Sequence, residues 1–132
     1  MEEKQRYTFS KQERLSNEKL INQLFSCGKS FIEYPIRIVY FPIICSGNEE
    51  KSIKTLITVP KKNIKSAVKR NRIKRQIREV YRLNKHILSC LPKQKNRTLM
   101  IGFIYLNSEI IEFSVIEQKM IKALNKLMNI NE

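Results

Sequence analysis

The chain contains no aspartate and no tryptophan, a single histidine (His86), three cysteines and three glycines. Each scarcity removes a class of chemistry. Metal-dependent nucleases hold their ions with clustered carboxylates, whereas the twelve acids here are all glutamates and are scattered. The adjacent pairs Glu2-Glu3 and Glu49-Glu50 have no third acid at helical or strand spacing. His86 lacks both a cysteine cluster for zinc and a partner for general-base work, and reads as a surface histidine. There is no P-loop and no dinucleotide-binding glycine pattern. Cys27, Cys45 and Cys90 are odd in number, widely spaced and without a C-x-x-C pair. A reduced chain fits them best, with all three as small buried hydrophobes. The longest apolar run, Leu99 to Leu106, has the length of a strand and not of a membrane span. The opening Met-Glu-Glu-Lys-Gln-Arg lacks the apolar run of a signal peptide. A cytoplasmic chain with no catalytic centre, no metal and no cofactor of its own is expected.

Positive charge is what the chain has in excess, with a formal net charge of +14 over 132 residues. Between Lys61 and Lys85, eleven basic residues face one acid, Glu79, so +10 of that charge lies within 25 residues. At about 100° per residue, Ile73, Ile77, Val80 and Tyr81 fall on one arc of a helix, with Lys74, Arg75, Arg78, Arg82 and Lys85 opposite. A solvated face with ordinary ion pairs needs acids three or four residues away, and only Glu79 is there. A helix that docks by an apolar stripe and shows a cationic side suits a polyanion. Arginine brings a planar fork that matches phosphate oxygens, and Asn71 can both donate and accept. Because the charge lies inside a folded unit, RNA or DNA fits better than an anionic membrane. A hydrophobic content of 42% is enough for a core, and the length suits one domain.

Along the chain, residues 1–13 read as a charged, flexible segment and 14–132 as one α+β domain. A short helix is expected from about Asn17 to Cys27, capped by Ser16 and closed by Gly28, with Leu20, Ile21, Leu24 and Phe25 as its apolar stripe. Ile36 to Phe41 reads as a strand ended by Pro42, and Phe31 to Glu33 is a further short candidate. The turn signal Ser46-Gly-Asn-Glu-Glu50 suggests that Ile53 to Val59 pairs back as a hairpin. The basic helix spans about Ser66 to Cys90, stopped by Pro92, and Lys93 to Arg97 is a loop. Leu99 to Leu106 is apolar on both faces and belongs at the centre of the sheet. Ser114-Val-Ile-Glu117 reads as a capping box opening a last helix.

By its own residues this is a binder and not a catalyst. Phe25 and Tyr40 have two readings: stacking on unpaired bases, or packing in the core as aromatics on amphipathic elements do. A ribosomal or RNA-chaperone protein would also use a basic helix on an α+β layer. A DNA-binding regulator reading through residues 66–90 would need a preceding short helix and a dimer surface, and neither is evident. A protein-only nuclease has the least support.

The stretch Val59 to Tyr81, with Lys61-Lys62, a spacer, and Arg70-Asn71-Arg72-Ile73-Lys74-Arg75 continued by Arg78, strongly resembles the signature of the bacterial ribonuclease P protein subunit. Arg14-Leu15 and Leu24-Phe25 ahead of Gly28 also look like that family's first helix. The resemblance implies a single two-layer α+β domain of order α-β-β-β-α-β-α with a left-handed βαβ crossover, against the usual preference. It implies a ribonucleoprotein endonuclease in which a catalytic RNA, with magnesium ions, removes the 5′ leader of precursor tRNA. On that reading Lys61, Lys62, Arg70, Asn71, Arg72, Lys74, Arg75 and Arg78 bind the catalytic RNA. Phe25, Tyr40 and Ile21 then line a cleft for the leader, Ile21 standing where the family has a second aromatic. No membrane and no obligate protein partner are implied.

Overall fold

In the computed structural model, residues 18–44, 52–88 and 97–130 are described. The segment 1–13, the expected cap Ser16, Cys45, Cys90 and the loop after Pro92 lie outside them. The first helix, α1 (Glu18–Cys27), begins with Glu18 at its positive end and buries Leu24. The Gly28 amide closes it by donating to the Leu24 carbonyl at 2.9 Å. A Cβ at Gly28 would lie 2.3 Å from that same oxygen and 3.0 Å from the carbonyl oxygen of Tyr40. Only glycine fits there. Cys27 is exposed and free, against the expectation that it is buried. It sits on the last turn of α1, where the helix leaves its apolar stripe.

Three strands follow, β1 (Lys29–Glu33), β2 (Ile36–Ile44) and β3 (Ser52–Thr58). Then come α2 (Ala67–Asn84) with a short 3-10 turn at Lys85–Leu88, β4 (Arg97–Tyr105) and α3 (Phe113–Ile130). The sheet order is β1-β2-β4-β3, with β2 antiparallel to both β1 and β4 and β3 parallel to β4. The double-sided apolar strand is therefore central, as its composition predicts. The expected hairpin between Ile36–Phe41 and Ile53–Val59 does not form, because β4 inserts between them: Tyr40 pairs with Ile101, and Ile101 with Thr55. Burial on both faces draws β4 to the middle, while β3, carrying Lys54 and Thr58, suits an edge. The β3–α2–β4 connection makes the parallel βαβ unit of the implied fold.

β2 does not stop at Pro42 but runs on to Ile44. β1 pairs no further than Tyr40, so beyond it β2 is an edge on that side, where proline costs no ladder bond. α2 opens as expected, with the Ser66 hydroxyl accepting from the Lys69 amide at 3.3 Å, but ends six residues before Cys90. α3 starts one residue before the proposed capping serine. The Glu112 carbonyl receives the Val115 and Ile116 amides, each at 3.1 Å, so Ser114 lies inside the first turn.

Strand alternation builds two unequal cores. Ile36, Ile38, Tyr40, Leu99, Ile101, Phe103 and Tyr105 face α2 and α3, which contribute Ile73, Ile77, Val80, Tyr81, Ile116, Met120 and Leu124. The Tyr81 and Phe103 rings lie 5.5 Å apart, tilted, a favourable aromatic geometry. On the reverse face Leu24 of α1 packs on Val39 and Met100, with Leu20, Ile21, Phe41, Ile43, Leu56 and Ile104 around them.

Candidate nucleic-acid interface

α2 is held by the stripe read from the sequence: Ile73, Ile77, Val80 and Tyr81 are all buried. Its other side carries exposed Lys69, Asn71, Arg72 and Arg75 and half-buried Lys74 and Arg78. Lys61 and Lys62 are exposed on the turn ahead of the helix. Two side chains fix that turn. Asn63 Nδ2 donates to the Tyr105 carbonyl at 3.1 Å, tying the turn to the end of β4. Arg70 Nη1 donates to the carbonyls of Ile64 at 2.9 Å and Lys65 at 2.8 Å. Arg70 is thus half-buried and fastens the cationic segment, whereas Asn71 and Arg72 point outward. This structural role of Arg70 and Asn63 has no periodic signal in the sequence.

Glu79, the single acid of the segment, bonds with Arg82, whose Nε lies 3.1 Å from its Oε2. The hydrogen bond from Arg82 holds the Glu79 carboxyl below the usual range, and the same bond pushes Arg82 up. Among the described residues Lys69, Arg72 and Arg75 form no ion pair. The outer face of α2 is therefore a concentrated positive surface with its one negative group engaged. His86 is exposed beyond the end of α2. Among the described residues no group of three or more His, Cys, Asp or Glu side chains could hold a metal ion.

The second candidate surface lies where α1 meets the sheet. Phe25 is 44% exposed. Its Cζ lies over Gly102, 3.7 Å from where a Cβ would stand, which is ordinary contact distance; the tighter neighbour at that position is Leu24 Cδ2 at 3.3 Å. Ile21 is half-buried beside it. Tyr40 does not join them. It is 8% exposed, belongs to the core under α2 and α3, and packs its ring 6.1 Å from Phe31. Phe41, one residue on, takes the α1 face. Because side chains alternate, a one-residue difference in register reverses the face. The signal was present in Arg37: of the two alternating sets, Ile36-Ile38-Tyr40 is wholly apolar and claims the larger core, leaving Arg37-Val39-Phe41 for the half-open side.

A family model described as Ribonuclease P matches residues 9–128. The chain belongs to the ribonuclease P protein family. It is 38% identical over 123 residues to the ribonuclease P protein component of Porphyromonas gingivalis, covering 92% of this chain and 87% of that one. With the counterpart from Chlorobium phaeobacteroides it shares 30% identity over 125 residues, 89% and 86% of the two chains. Two solved ribonuclease P proteins share the fold. The Staphylococcus aureus structure has a TM-score of 0.60 at 18% identity, covering 91% of this chain and 98% of that one. The Thermotoga maritima structure has a TM-score of 0.61 at 22% identity, covering 86% and 96%. The ribonuclease P family places this chain as the protein component of a ribonuclease of tRNA processing. No helix among its described residues is long and apolar enough to cross a membrane.

Proposed function

We propose that this chain is the protein subunit of a cytoplasmic ribonucleoprotein endonuclease that removes the 5′ leader from precursor tRNA. The bond-breaking chemistry belongs to a catalytic RNA and the magnesium ions bound to it, a reading supported by the absence of a cluster of metal ligands among the described residues. The protein supplies binding. Lys61, Lys62, Asn71, Arg72, Lys74, Arg75 and Arg78, on α2 and the turn before it, seat the folded RNA by neutralising phosphates and releasing their counterions. Arg70 adds its charge while holding the turn in place. Across the molecule Phe25, Ile21 and Phe41 grip the unpaired leader through stacking and apolar contact. Holding the leader beside the docked RNA orients the scissile bond and raises substrate affinity.

One observation carries the reading: α2 is anchored on its apolar side and presents a cationic side whose single acid is already bonded to Arg82. The test is reconstitution. Purified protein added to the cognate catalytic RNA should promote precursor cleavage at low magnesium. Cleavage by protein from which all RNA has been removed would overturn the division of labour.

A further inference from the structure

The last helix carries a second cationic surface, turned away from α2. α3 buries Ile116, Met120, Ala123, Leu124 and Leu127. Beside this stripe Lys119, Lys122 and Lys126 fall within about 60° of one another, at about 100° per residue. Lys122 and Lys126 are exposed and Lys119 is half-buried. No acid stands three or four residues from any of them, the spacing that helical ion pairs need, and among the described residues they form no ion pair. β1 extends the surface. Lys126 Nζ lies 4.8 Å from the centroid of the Phe31 ring. Lys29, two residues before Phe31, shares its face of the sheet and is exposed. Glu33, the acid on that face of β1, is half-buried and pairs with none of the four lysines.

The direction of this surface sets what it can hold. Glu117, on the other side of α3, accepts from Asn84 Nδ2 of α2 at 3.3 Å. The three α3 lysines lie about 140–180° around the helix from Glu117. A rigid RNA helix seated on the α2 ridge therefore has the width of α3 between itself and these lysines. Their chemistry is phosphate recognition without base reading. Lysine is a compact point charge that demands no fixed geometry. The aromatic beneath them, Phe31, is half-buried with Lys126 over its ring, so it offers no open platform for an unpaired base. A duplex, with phosphates outward and bases stacked inside, meets these terms. Exposed Gln118 and Asn129 border Lys122 on the same side of the helix and can bond to sugar hydroxyls.

We propose that Lys29, Lys119, Lys122 and Lys126 form a second docking surface, sequence-independent and specific to duplex RNA, which engages an RNA molecule other than the one seated on α2. The proposal rests on the RNA-seating role given to α2 above, and it makes the protein a bridge between two RNAs.

The experiment loads the protein with the cognate catalytic RNA and measures binding of the holoenzyme to a blunt-ended RNA duplex across a salt series. The duplex has no single-stranded end for the α1 face to take. The protein is parent, the single variant Lys122→Gln, or the triple variant Lys119→Gln, Lys122→Gln and Lys126→Gln. Each lost phosphate contact should lower the salt slope by about 0.9, so the triple variant should lose about 2.7. Between about 50 and about 200 mM salt, three such contacts correspond to about a fortyfold change in affinity. Lys122→Gln, at an exposed position, should lose one contact and leave the urea midpoint unchanged, which separates binding from folding. Failure of the parent holoenzyme to bind the duplex would overturn the proposal, as would equal binding by parent and both variants. Weaker assembly of Lys122→Gln with the catalytic RNA would overturn it by giving the flank to that same RNA. Lysine-dependent capture by phosphatidylserine vesicles, with the duplex left unbound, would overturn it in favour of a membrane surface. The α2 reading fails separately, if Arg72→Met and Arg75→Met assemble with the catalytic RNA at an unchanged salt slope.

Discussion

Arg70 and Arg72 are neighbours in one motif, yet the structure gives them different duties, and stability measurements without RNA separate the two. Arg70→Met keeps most of the side-chain stem and deletes the hydrogen bonds to the Ile64 and Lys65 carbonyls. A hydrogen bond from a charged donor contributes about 1.5–3 kcal/mol when lost from a buried setting. One of these two bonds is solvent-exposed and Arg70 is only half-buried, so the pair together is expected to contribute about 2 kcal/mol. Arg72 is exposed and makes no ion pair among the described residues, so Arg72→Met should change stability by no more than about 0.5 kcal/mol. Urea unfolding of both variants reads the difference as a shift in midpoint at constant slope. In the presence of the catalytic RNA, Arg72→Met should lower the salt slope of assembly by about 0.9, the value of one lost phosphate contact, with no matching loss of stability. Equal unfolding midpoints for the two variants would refute the division, as would an Arg72 variant that leaves the salt slope intact.

Gly28→Ala should destabilise the fold and loosen α1, because the new methyl would meet the Leu24 carbonyl at 2.3 Å; amide exchange along α1 is the direct readout. Phe25→Ala should weaken binding of leader-bearing precursor more than of mature tRNA, and equal losses would remove Phe25 from leader binding. Glu79→Gln tests the pair with Arg82. The folded carboxyl titrates below its ordinary value, so its contribution is present above the unfolded pKa and lost as pH falls through the folded one. The variant should show a small stability loss at neutral pH, of the size usual for an exposed pair, and the gap should close in acid. Removing this acid should also tighten RNA binding at low salt, which filter binding across pH and salt would show.

The anchoring stripe of α2 was legible because 3.6-residue periodicity survives any tertiary context: Ile73, Ile77, Val80 and Tyr81 had no alternative but the core. β4 was legible for a related reason, since a strand apolar on both sides can only be central. Pairing partners were not legible. The turn residues before β3 announce a change of direction and not which strand lies alongside, so β4, more than forty residues after β2, could displace the local hairpin. Tyr40 differs: Arg37 in the alternate set marks the half-open face, so the strand's own pattern assigns Tyr40 to the larger core with Ile36 and Ile38. Arg70 shows a further limit. Its identity within a basic motif spoke only of charge, while its hydrogen bonds depend on where the preceding turn folds back.

The place of β4 between β2 and β3 governs what the nascent chain can do. Until Arg97–Tyr105 has left the ribosome, β3 has no ladder to join and the apolar stripe of α2 lacks Leu99, Ile101, Phe103 and Tyr105 from its core. A ribosome-bound fragment ending before that point would carry the whole cationic segment next to ribosomal RNA, attracted by charge but with no rigid geometry to select a partner. On the proposed RNA-seating role, discrimination between RNAs is acquired late in translation, when the final strand slots in and turns a sticky peptide into an oriented surface.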